Sequence, residues 1–140
     1  MTGATTATAI PALSKRRLGT IVAWVLQVVL AFQFVGGGLL KLVGDPAMVG
    51  MFTTIGVGQW LRYLVGVLEV AGAVGLLLPP LAGLAALGLA GVMVGATLTN
   101  VFILHVSPVL TLALLVVAGV IVWLRRATLL TGLCTLTGRR

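Results

Sequence analysis

The chain is poor in charge, nearly without acid, and has one cysteine and one histidine. Only 8% of its 140 residues are charged, where a soluble domain carries about 25%. Most of its surface is therefore not built for water. Two acidic residues, Asp45 and Glu69, face nine lysines and arginines, for a net charge of +7. A nucleic-acid binder can carry that balance, but it gathers its cations on a folded polar face. Here they sit at the ends of apolar blocks, which argues against a nucleic-acid partner. The single cysteine, Cys134, excludes an intrachain disulfide and a dithiol redox pair. The single histidine, His105, excludes bis-histidine haem ligation, and no cysteine–histidine cluster offers a zinc or iron–sulfur site. There is no glycine-rich phosphate loop between a strand and a helix. The only aspartate, Asp45, forms no recognisable Ser-His-Asp set. The pattern argues against an independent catalyst and against a metal held by this chain alone.

What is present is hydrophobic: 60% of the residues, arranged in long runs. A helical span needs about 20 apolar residues. The runs predict four spans, at about 18–40, 62–79, 81–104 and 106–124. In lipid every backbone N–H and C=O must find a partner, and the runs do not alternate as barrel strands do. The expected fold is thus all-α: a polytopic membrane protein, an antiparallel bundle of four transmembrane helices. The first run is too long for a secretory h-region and reads as an uncleaved span. Residues 1–17 form a basic leader ending in Lys15, Arg16 and Arg17, 18–126 the membrane domain, and 127–140 a tail. In that tail Leu129, Leu130, Leu133 and Leu136 have the spacing of a short interfacial helix. Seven cations (Lys15, Arg16, Arg17, Arg125, Arg126, Arg139 and Arg140) fall on one side of such a chain, and only Lys41 and Arg62 on the other. This bias places both termini in the cytoplasm of a multi-pass protein of the cell's inner (plasma) membrane.

Between the first two spans, Asp45-Pro46 has the form of a helix N-cap followed by proline at the first helical position. Met48, Met51, Phe52 and Ile55 recur behind it at helical spacing, predicting a short interfacial helix. On the third span Gly88, Gly91, Gly95 and Thr99 make a small-residue stripe, expected to pack inside the bundle rather than to pair two copies.

Polar residues inside the spans are expensive and call for a partner or a task. Glu69 is the clearest. On the first span Trp24, Gln27, Ala31, Phe34, Gly38 and Lys41 share one helical face, and on the second Arg62, Gly66, Glu69 and Ala73 do the same. If those faces meet, Lys41 or Arg62 can reach Glu69. Asn100 and His105 approach the same side from the third span. The expected site is a polar pocket in the outer half, lined by Lys41, Arg62, Glu69, Asn100 and His105. Set against that are plainer uses: a structural ion pair at Glu69, snorkelling by Lys41 and Arg62, a solvated or capping His105, and interhelical hydrogen bonding by Asn100 and Gln27.

The run Phe34-Val35-Gly36-Gly37-Gly38-Leu39-Leu40-Lys41-Leu42 resembles the first-helix signature of the DoxX and DoxX-like membrane proteins. The loop Met51-Phe52 through Ile55-Gly56 to Arg62 is similar to theirs. So are Val67-Leu68-Glu69-Val70-Ala71-Gly72-Ala73 with Leu76-Leu77-Leu78-Pro79, and Gly91-Val92-Met93-Val94-Gly95-Ala96. The likeness runs from about Trp24 to Trp123. It implies a small four-helix bacterial inner-membrane protein, in a family that takes its name from subunits linked to quinone-dependent oxidoreductases. Lys41 and Glu69 match the family's recurring polar positions. The resemblance implies an accessory subunit with no covalent cofactor, taking a quinone or other amphipathic molecule, with oxidoreductase subunits or a second copy as partners. A proton-coupled small transporter and a structural scaffold or assembly factor are the competing expectations.

Overall fold

The structure, a computed structural model, describes residues 15–127, 129, 130 and 134. Most of the expected leader, and Leu133, Leu136, Arg139 and Arg140 of the tail, lie outside the described residues. Among the described residues every regular element is a helix: α1 (Lys15–Val43), α2 (Pro46–Ile55), α3 (Gln59–Leu77), α4 (Ala82–Phe102) and α5 (Val109–Leu124).

The breaks between helices follow from local chemistry. No proline interrupts the 29 residues of α1. It stops at Gly44, whose φ of 78° lies in the left-handed region open to glycine. The Asp45 carboxylate then accepts from the N–H groups of Ala47 at 3.0 Å and Met48 at 3.3 Å, starting α2 with Pro46 in its first turn. Leu78, held extended by the proline after it, ends α3. The α4–α5 connection turns through His105, a non-glycine residue at φ 51°. It is tied down where the Val106 N–H donates to the Asn100 carbonyl at 3.0 Å.

Three helices are long and apolar enough to cross a membrane: α1 from Arg17, α3 and α4. The expected fourth span differs. Residues 106–108 belong to the connection, which runs from 103 to 108, and α5 has only 16 residues, apolar but shorter than the other three. Pro108 at its start, with no N–H to give, is the local reason. At the other end α1 already includes Lys15, Arg16 and Arg17, which the leader was expected to hold.

α1 packs on α3 and α5, and α4 packs on α3 and α5. Gly72 lies against Leu89 and Gly75 against Ala85, so α3 and α4 run in opposite senses. Leu30, Phe34, Leu76, Leu89, Met93 and Ile121 meet in the core, drawn from all four helices. α2 folds against α3 through buried Phe52. The Gln59 amide clamps the two by donating to the Val49 carbonyl and the Thr53 hydroxyl, both at 3.1 Å.

The small-residue stripe expected to pack inside the bundle does not do so on α4, and the closely packed glycines are on α3. Gly66, Gly72 and Gly75 sit in tight contacts, whereas a Cβ at Gly88, Gly91 or Gly95 would meet nothing within 4 Å. The α4 stripe faces outward. The face that α4 buries instead runs through Ala82, Ala86, Leu89 and Met93.

Candidate functional site

The site is built on the crossing of α1 and α3. A Cβ on Gly38 would lie 2.9 Å from the Gly66 carbonyl oxygen, and one on Gly66 3.0 Å from the Gly38 carbonyl oxygen. Two glycines thus let the backbones touch where no hydrophobic effect drives helices together. The close approach sets the register of the polar residues one turn away.

Lys41 and Glu69 meet there, Nζ to Oε2 at 2.8 Å. Lys41 Nζ also donates to the Gly37 carbonyl at 3.4 Å, so the long side chain folds back one turn along its own helix. Arg62 is 3% exposed and Glu69 4%. The guanidinium does not pair with Glu69. Its Nε donates to Gln59 Oε1 at 2.8 Å, its Nη1 donates to the Lys41 carbonyl, and its plane lies over the Tyr63 ring at 4.2 Å. Snorkelling is thereby overturned for Arg62: both its nitrogens and its carbon stem stay inside the protein. Its role is to cap the end of α1, taking a carbonyl left open where the helix stops at Val43.

Among the described residues Lys41 makes two hydrogen bonds through its ammonium, one fewer than it has protons. Glu69 Oε1 accepts none, and the carboxylate's hydrogen bond from Lys41 goes to Oε2. A donor and an acceptor are thus left side by side. They are also reachable. Gly36 is exposed with nothing within 4 Å of where its Cβ would be, and a Cβ on Gly37 would meet only Glu69 Oε2 and Lys41 Nζ, each at 3.6 Å. Gly37 leaves a notch over the ion pair, and Gly36 beside it carries no side chain to close that notch.

The other two expected residues stand apart. Asn100 is half-buried near the end of α4, and His105 is exposed in the following loop. Both lie at the same end of the helices as Lys41. No hydrogen bond or ion pair joins either to Lys41, Arg62 or Glu69 among the described residues. The Asn100 side chain makes no hydrogen bond there at all, so the interhelical bond expected of it is missing; the one between α4 and α5 runs from Thr97 to Thr111 at 3.0 Å.

Gln27 does bridge helices, at the opposite end. Fully buried, it donates to the Leu76 carbonyl at 2.9 Å and accepts from Arg125 Nη2 at 3.0 Å. Arg125 also lies 5.7 Å from the Trp24 ring centre. Two residues escaped the sequence reading. Gln59, one turn before Arg62, is the partner of its guanidinium. Gln33, an exposed amide in the middle of α1, makes no side-chain hydrogen bond among the described residues. Its signal was present: a lone amide in an apolar run, four residues before Gly37.

The sequence profile of the DoxX-like family matches residues 25–125. The chain belongs to the DoxX-like family. No curated protein and no solved structure matches it. The stretch shared with DoxX-like proteins takes in the whole α1–α3 crossing, Gln33 included, and ends on Arg125. With three helices able to cross a bilayer, this DoxX-like chain is a membrane protein.

Proposed function

We propose that this DoxX-like protein is a non-catalytic accessory subunit of a membrane oxidoreductase system, and that it holds an amphipathic ligand, a quinone headgroup, against Lys41 and Glu69. The observation that carries the reading is the notch at Gly37, which opens on an ion pair with hydrogen-bonding capacity to spare. A quinone carbonyl accepts from the remaining Lys41 N–H. A quinol hydroxyl donates to Glu69 Oε1, and the carboxylate is placed to take its proton. The isoprenoid tail lies along the apolar flank outside α1. Asn100 and His105 belong to the rim at that end, reached by the ligand's outer edge rather than by the ion pair.

The same reading makes α5 the fourth span of an antiparallel bundle in the inner membrane. Both termini lie in the cytoplasm and α2 rests at the outer interface, as the excess of cations at the Arg125 end favours.

Native mass spectrometry of the protein in mild detergent, beside Glu69→Gln, tests the ligand. A quinone-sized mass is expected on the wild type and absent from a folded Glu69→Gln variant. Bare protein or lipid-only complexes in both overturn it. One observation favours a second reading, a scaffold or assembly factor: Arg62 is buried and partnered wholly within the protein. In that case Glu69→Gln weakens partner assembly and no small molecule is lost.

A further inference from the structure

Gln33 is a polar group that neither the fold nor the ion pair uses. It lies near the midpoint of the apolar part of α1, Arg17–Val43, and is exposed there. A primary amide facing hydrocarbon without a partner costs several kcal/mol by transfer scales, which is why amides in spans pair with something. Among the described residues nothing pairs with this one, which leaves it open to a partner such as a bound ligand.

Its position says which kind of partner. Gln33, Gly36, Gly37 and Leu40 fall on one face of α1, at the i, i+3, i+4 and i+7 positions. Four residues separate Gln33 from Gly37, a rise of about 6 Å. Lys41 Nζ is folded back to the level of Gly37, where it donates to that residue's carbonyl. The notch therefore has a hydrogen-bonding group at each end, the Lys41–Glu69 pair at one and the Gln33 amide at the other, with two side-chain-free residues between. Helix side chains lean toward the N-terminus, so the Gln33 amide can extend away from Gly37 beyond that rise, and a flat head one ring across, with an oxygen on each opposite side, then bridges the two groups.

We propose that Gln33 is a second ligand-binding residue, its amide donating to the far oxygen of a para-substituted ring whose near oxygen is held by Lys41. This rests on the proposed ligand role of the ion pair and specifies its class: planar heads with two opposed oxygens, rather than any amphipath. A second copy of the chain is the competing source of a partner. It would bring Gln33 against its own counterpart and leave the spare N–H of Lys41 unused, so the ligand accounts for more of the site.

The probe is a para-benzoquinone with a short alkyl tail, titrated into the detergent-solubilised protein, compared with a ring of the same tail bearing one oxygen. Wild type is expected to prefer the two-oxygen ring by about tenfold, one net hydrogen bond. Gln33→Leu should bind the benzoquinone about tenfold more weakly and abolish the preference, with melting unchanged or raised. Gln33→Leu binding like wild type, while Glu69→Gln does not bind, would overturn the role of Gln33 and leave the ion-pair site standing. No binding by wild type overturns both. Gln33→Cys in a Cys134→Ser background adds an independent readout: efficient crosslinking between copies through position 33 assigns the amide to a protein interface and overturns the proposal.

Discussion

Lys41 and Glu69 bring opposite charges to 2.8 Å inside a span, with side-chain exposures of 15% and 5%. Such a pair is asymmetric in its energetics. Removing one partner strands the other in low dielectric, whereas removing both removes the desolvation penalty too. Lys41→Met should therefore destabilise the protein by about 3 kcal/mol, and Lys41→Met with Glu69→Met should recover most of that loss. Equilibrium unfolding in mixed micelles reads the difference. A double variant no more stable than the single one would show that the residues do not act as a pair. Lys41 and Glu69 were legible in the sequence as members of two helical faces that had to meet. Which cation took the carboxylate was not, because Lys41 and Arg62 are equally reachable by spacing alone. The choice was made by the end of α1, whose unsatisfied Lys41 carbonyl captured Arg62. Gln27 and Arg125 were visible singly, but their bond joins residues 98 apart and no local pattern encodes it.

At the scale of helices, glycine means opposite things on α3 and on α4. A Cβ on Gly38, at the α3 contact, would come within 2.8 Å of Val70 Cγ2 and 2.9 Å of the Gly66 carbonyl, and a backbone atom cannot rotate away. Gly38→Ala should thus cost about 1–3 kcal/mol and separate the helices at the ion pair. Gly91→Ala, with nothing within 4 Å, should be neutral or stabilising by up to about 1 kcal/mol. Thermal melts of the two variants in one detergent make the comparison; equal losses would mean that the α1–α3 crossing is not the tight one. The start of α2 was legible because Asp45 and Pro46 act locally, whereas its end at the left-handed Gly56 escaped the sequence reading. The direction in which the α4 stripe faces was not. A run of small residues has the same spacing whether its helix turns it inward or outward, and the rotation of α4 is set by Ala82, Ala86, Leu89 and Met93 packing on α3 and α5.

For the molecule as a whole, charge is divided unevenly between two ends. Lys41 and Arg62 are matched in number by Asp45 and Glu69, whereas five cations, Lys15, Arg16, Arg17, Arg125 and Arg126, belong to the opposite end of the helices with no acidic residue among them. Orientation in a bilayer follows from that surplus, and the chain carries its own probe of it. Cys134 is the single cysteine and is exposed. In intact cells a membrane-impermeant maleimide should leave Cys134 unlabelled until the membrane is opened, while Val57→Cys, at an exposed loop position, in a Cys134→Ser background should label at once; the reverse pattern would invert the topology. The ends differ in height as well as charge. α1 has 29 residues and its neighbour α5 has 16, lengths of about 44 Å and about 24 Å, against a hydrocarbon layer of about 30 Å. With α5 as the fourth span, lipids on that flank must shorten while those beside α1 need not. The protein then sits in the bilayer as a local step in thickness, and a neighbour with an equally short helix would lower the elastic strain by docking on the α5 side.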